Sequence, residues 1–258
     1  MRSIFLVALK KIIIFTIFFY QFSVFATEQQ KDPLNSPSWN EMHKIILNAE
    51  PVIFDDRIEV SIPSFAEDPT NVPITIKVKD IKKIEEIIVF ADLNPIQKVL
   101  SFKPFNIKPS LSFRIKVEQS TPVRAGVKTS DGIWHVGGRW LEAAGGGCTA
   151  PSLSSGVVNW HETLMDISSR VWVRDDNSSR FRFRIMHPMD TGLAPGIPEF
   201  FIEEITIFDA SRLVIGEIIT YQPISENPVF TVDTYPDTQT PVQLKGSDTN
   251  GNRFDTKL

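Results

Sequence analysis

The chain has 258 residues, 42% of them hydrophobic and 22% charged, with 27 Lys and Arg against 31 Asp and Glu. That is enough apolar side chain for two domains of ordinary size. The acidic balance excludes the continuous basic stripe that a nucleic-acid partner requires, so none is expected.

The first residues read as an export leader. Arg2, Lys10 and Lys11 are basic, 12–19 is almost entirely Ile, Phe and Thr, and Val24-Phe25-Ala26 fits a small-x-small cleavage site. Residues 1–26 are therefore assigned to a leader, with an uncleaved anchor as the second reading. Either way the remainder lies outside the cytoplasm. Removing Arg2, Lys10 and Lys11 from the 27 basic residues leaves 24 against 31 acidic ones, a net charge of −7.

Residues 27–38 are polar and carry prolines, as a linker does. Trp39, Met42, Ile45 and Ile46 then recur at helical spacing, which predicts a helix over 39–48 with Ser38 as N-cap and Pro51 beyond its end. Short alternating runs follow at 57–62, 74–78, 84–91, 111–117, 123–128 and 133–141, with Asp131 and Gly132 forming a hairpin turn. A second series occupies 166–174, 180–186, 200–208, 213–221, 229–232 and 241–245. Many short strands with one helix predict a mainly β chain built from antiparallel sandwiches.

Between the two series stands the only cysteine, Cys148, directly after Gly145, Gly146 and Gly147. A thiol is the strongest nucleophile among ordinary side chains, and glycine restrains a backbone least. One reading is a carrier thiol, exposed on a flexible arm that visits other proteins. The other is a tight turn beside a small, inert, half-buried Cys. With a single Cys, an internal disulfide is impossible.

The flanking segments resemble a known family. Val60-Ser61-Ile62-Pro63-Ser64-Phe65-Ala66-Glu67, Asn71-Val72-Pro73-Ile74, Ile88-Val89-Phe90-Ala91-Asp92-Leu93-Asn94-Pro95 and Ser130-Asp131-Gly132 resemble SoxY, the periplasmic carrier subunit of bacterial sulfur oxidation. Met186-His187-Pro188-Met189-Asp190-Thr191-Gly192, Ile197-Pro198-Glu199-Phe200-Phe201-Ile202 and Ile224-Ser225-Glu226-Asn227-Pro228 resemble its partner SoxZ.

The resemblance implies two immunoglobulin-like sandwiches in tandem. The SoxY-like one occupies 36–144, a Gly/Cys linker 145–156, and the SoxZ-like one 157–258. It also implies a periplasmic, non-enzymatic carrier without cofactor or metal. In SoxY the Cys of a terminal Gly-Gly-Cys-Gly-Gly arm carries sulfur intermediates covalently. Gly146, Gly147 and Cys148 match that arm, whereas Thr149 and Ala150 replace its trailing glycines and the segment is internal. An arm held at both ends reaches roughly half as far as a free one, at about 3.3–3.6 Å per extended residue. Fused chains of this kind are similar to SoxYZ-like carriers associated with quinoprotein dehydrogenases. The partners implied are periplasmic redox enzymes, c-type cytochromes or such a dehydrogenase.

Other chemistry is sparse. His43, His135, His161 and His187 show no metal-ligand spacing, and no nucleophile elbow or phosphate-binding glycine loop is present. Arg180, Arg182 and Arg184 alternate along one predicted strand, either as a solvated face or as a docking patch for an acidic partner. The apolar run Phe200, Phe201 and Ile202 is the expected contact between the halves. A non-covalent adaptor, its Cys vestigial, is the alternative to the carrier.

Overall fold

The computed structural model describes residues 31–153, 159–238 and 240–258. The expected leader, 1–26, lies outside the described residues, as does part of the expected linker, 154–156.

One helix, α1 (Trp39–Ile45), precedes sixteen strands among the described residues. Nine lie before Cys148: β1 (Val52–Phe54), β2 (Ile58–Ser61), β3 (Phe65–Ala66), β4 (Val72–Val78), β5 (Ile84–Ala91), β6 (Lys98–Lys103), β7 (Ser110–Ile115), β8 (Thr121–Thr129) and β9 (Trp134–Ala143). After it come a short 3-10 turn (Trp160–Thr163), β10 (Ile167–Val173), β11 (Ser179–Ile185), β12 (Ile202–Phe208), β13 (Val214–Thr220), β14 (Val229–Asp233), β15 (Gln243–Asp248) and β16 (Arg253–Lys257).

These strands form two facing sheets. One runs β1-β9-β8-β5-β6-β13-β12-β15-β16, with β3 also paired to β9, and the other runs β10-β11-β14-β7-β4-β2. Pairing is antiparallel except where β1 and β3 lie parallel to β9. Alternation places the core. In β7, Leu111, Phe113 and Ile115 point inward, and in β11, Phe181, Phe183 and Ile185 do, leaving Arg182 and Arg184 outside.

Both sheets continue from one half of the chain into the other. Leu100 to Lys103 of β6 pair with Glu217 to Thr220 of β13, and Leu111 and Ser112 of β7 pair with Val232 and Thr231 of β14. A single apolar core therefore runs from Val89, Phe102 and Ile115 through Phe183, Ile205 and Phe230. Of the expected contact at 200–202, Phe201 and Ile202 belong to this shared core. Phe200 packs within its own half, its ring 4.4 Å from His187. Phe201 N donates to Thr249 Oγ1, and Ile202 N to Met189 Sδ. Strand pairing also joins the halves, satisfying backbone N–H and C=O groups that open edges would leave unpaired.

The outer face of the larger sheet has its own cover. Trp39 and Met42 of α1, with Leu47, pack on Ile88, Phe90, Trp134 and Val136. Through this cover β8 is buried on both faces and loses its alternation. Its Arg124 sits there, 1% exposed, with Nε on the Asp92 carboxylate at 3.0 Å, Nη1 and Nη2 on Asp32 at 2.9 and 2.8 Å, and its guanidinium 4.6 Å above the Trp39 ring.

Candidate functional site

The site forms where the chain leaves β9. At Gly145, φ is +101°, and a Cβ would lie 2.5 Å from Glu118 O. Gly147 sits tighter, with positions for a Cβ only 2.1 Å from Pro69 O and 2.5 Å from Val117 O. The backbone hydrogen bonds explain that approach. Gly147 N donates to Val117 O at 3.0 Å, and Val117 N donates to Pro69 O at 2.8 Å. At this position, therefore, glycine serves close packing.

Cys148 follows directly and is wholly buried. This corrects the expectation of an exposed thiol. Its Sγ–H points to Lys116 O at 3.5 Å, while the Glu118 carboxylate accepts from Cys148 N at 3.0 Å and Thr149 N at 3.1 Å. Thr149 Oγ1 donates to the same carboxylate, and Thr191 Oγ1 donates to Cys148 O at 2.6 Å. Further on, Ser152 N donates to Asp190 and Leu153 N to Glu226. Three separated parts of the sequence, 116–118, 190–191 and 226, thus hold the segment.

Electrostatics keep the sulfur protonated. Burial, reinforced by the Glu118 charge and only partly offset by Lys116, pushes the Cys148 thiol up to about 12. In this conformation it is a poor nucleophile. Lys116, also buried, donates from Nζ to Met189 O. Burial lowers its pKa against the opposing pull of Asp190, Cys148 and Glu226.

The His-Pro-Met-Asp-Thr string provides the opposite wall. His187 accepts Met189 N on Nδ1 at 3.0 Å, and His187 N donates to Asn227 Oδ1 at 3.1 Å, which fixes the turn carrying Asp190 and Thr191. Burial pushes the His187 imidazole down to about 4 although Asp248 lies 3.4 Å away. Nothing in the sequence paired this string with the cysteine. The fold brings them together, and Lys116 and Glu118 with them.

Alongside runs a cleft of about 730 Å³, lined among others by Gly147, Arg114, Lys116, Arg182, Arg184 and His187. The three arginines expected on one strand separate here. Arg180 is engaged with Asp233 at 2.8 and 2.9 Å, a carboxylate that Arg174 shares, whereas Arg182 and Arg184 stand on the cleft wall.

With the geometry in place, comparison with known proteins narrows the reading. Residues 43–148 match the family model of the sulfur oxidation protein SoxY. The match begins in α1 and ends on Cys148. No curated protein matches the chain. Among solved structures, the sulfur carrier protein SoxY from Chlorobium limicola f thiosulfatophilum is 20% identical, covering 42% of this chain and 96% of that one, with a TM-score of 0.37.

Proposed function

We propose that this chain is an exported, non-enzymatic covalent carrier in which Cys148 is the attachment thiol. The observation that carries the reading is that the SoxY match extends up to and includes Cys148. Location in the periplasm follows from the leader-like residues 1–26, and the SoxZ-like strings at 186–192 and 224–228 supply the second half of a fused SoxYZ-like carrier. Its partners are periplasmic redox enzymes or c-type cytochromes, a quinoprotein dehydrogenase among them.

The buried thiol makes this a guarded carrier. Loading requires the 145–150 segment to lift away from Glu118 and Thr191, which exposes the sulfur and lowers its pKa together. The thiolate then attacks a partner's sulfur at the disulfide level. A new S–S bond forms at Cys148, the partner's thiolate departs with the electron pair, and the thiol proton goes to water. Gly146, whose surroundings are open, is the hinge of that motion, and Gly145 and Gly147 leave their packed positions as the segment lifts.

Arg182 and Arg184 favour a second reading, a non-covalent adaptor that docks an acidic partner, because both are exposed. Two variants separate the readings. In the carrier, Cys148→Ser abolishes function and leaves docking intact, since a hydroxyl cannot replace the thiolate. In the adaptor, Cys148→Ser is silent, and Arg182→Glu with Arg184→Glu weakens partner binding and its salt dependence.

A further inference from the structure

We propose that the cleft beside the Gly147 backbone binds a small tetrahedral oxyanion carrying two negative charges. This goes beyond the carrier reading and does not depend on it, because it rests on the cleft's own charges.

Four cationic side chains line the cleft, namely Arg114, Lys116, Arg182 and Arg184, against two carboxylates, Asp68 and Glu226. Both carboxylates hold loop backbone. Asp68 accepts from Thr70 N at 2.9 Å and Glu226 from Leu153 N at 2.7 Å. The balance is two positive charges.

Strand register explains why the arginines converge. Arg184 of β11 lies opposite Val229 of β14, and β7, carrying Arg114, flanks β14 on its other side. All three point to the outer face of the sheet. Arg114 Nη1 is held by Asn71 Oδ1 at 3.2 Å. Among the described residues, neither Arg182 nor Arg184 has a carboxylate within ion-pair distance, unlike Arg174 and Arg180, which share Asp233. Guanidinium forks match the spacing of oxygens on a tetrahedral anion.

A second observation points the same way. Ser225 is 2% exposed and lines the cleft, yet its Oγ has no hydrogen-bond partner in the chain. Buried hydroxyls are almost always satisfied. An oxyanion held by the arginines gives this one an acceptor, and the buried Lys116 beside it sits where low solvent access strengthens charge pairing.

Isothermal titration of the full chain tests this. The ligands are sodium thiosulfate, sodium sulfate and inorganic phosphate, with ionic strength held constant by sodium chloride. The expected result is saturable binding at one site per chain, with the tightest of the three identifying the preferred anion. Arg182→Gln with Arg184→Gln, both on an exposed face, should weaken it by roughly tenfold or more. Ser225→Ala should weaken it severalfold, and Cys148→Ser should leave it unchanged, which separates this site from the carrier thiol. Heat no greater than that of the chloride control, or equal affinity in the double arginine variant, would overturn the proposal.

Discussion

Cys148 is defined by what surrounds it. Its sulfur lies under a carboxylate that accepts two consecutive backbone N–H groups, and Glu118 both clamps the segment and raises the thiol pKa. Glu118→Gln removes the charge from both effects. Hydrogen bonds to a charged group contribute about 1.5–3 kcal/mol, so iodoacetamide should modify Cys148 roughly tenfold faster in the variant. An unchanged rate would mean that Glu118 does not hold the segment shut. The Gly-Gly-Cys string was legible in the sequence, but its burial was not. Flexibility and close packing both call for glycine, and only the approach of Gly147 to Pro69 O separates them.

His187 makes a separate, pH-dependent contribution. Its pKa falls from an ordinary 6.5 to about 4 through burial, so the folded chain refuses a proton that the unfolded chain accepts. Stability is then full above pH 6.5 and falls as pH drops from 6.5 towards 4, by about 3 kcal/mol at most. Asp55, whose pKa is lowered chiefly by Arg57, adds its loss only below its ordinary value of 3.8, outside that window. Urea titrations of the wild type and His187→Gln across pH 4 to 7 should therefore diverge in slope. Parallel curves would show that His187 does not carry this dependence.

At the scale of elements, α1 and β8 depend on one ion cluster. Arg124 is buried between Asp32 and Asp92 beneath Trp39, which ties the segment ahead of α1 to the sheet. Arg124→Met leaves both buried carboxylates without their counter-charge, a loss of about 3–5 kcal/mol. Replacing Asp32 and Asp92 by Leu as well should recover most of it. A single variant within about 0.5 kcal/mol of the wild type, the scatter of ordinary surface changes, would show that the cluster is dispensable. Strict alternation made β7 and β11 readable, and Ile84–Ala91 of β5 has the bounds expected of it. Short β1 and β3 were missed because two or three residues carry no period, and β6 because Val99 to Phe102 are all buried. The helix ends three residues early, at Ile45, and Ser38 makes no side-chain cap.

For the whole molecule, the decisive feature is that the two halves share both sheets. The β6–β13 and β7–β14 pairings set the 187–191 turn against the Gly145-to-Cys148 segment, so each half completes the other's site. Sequence patterns cannot show this, since Lys116, Cys148 and Thr191 are far apart along the chain and no periodicity links them. The central claim is that Cys148 is loaded by a partner and then shielded in this seam. Intact-mass spectrometry of protein isolated from its native compartment without reductant tests it most directly. A fraction of the chain should carry a sulfur-containing adduct on the Cys148 peptide that dithiothreitol removes and that is missing from Cys148→Ser. Unmodified thiol throughout, in cells where the partner system is active, would contradict it.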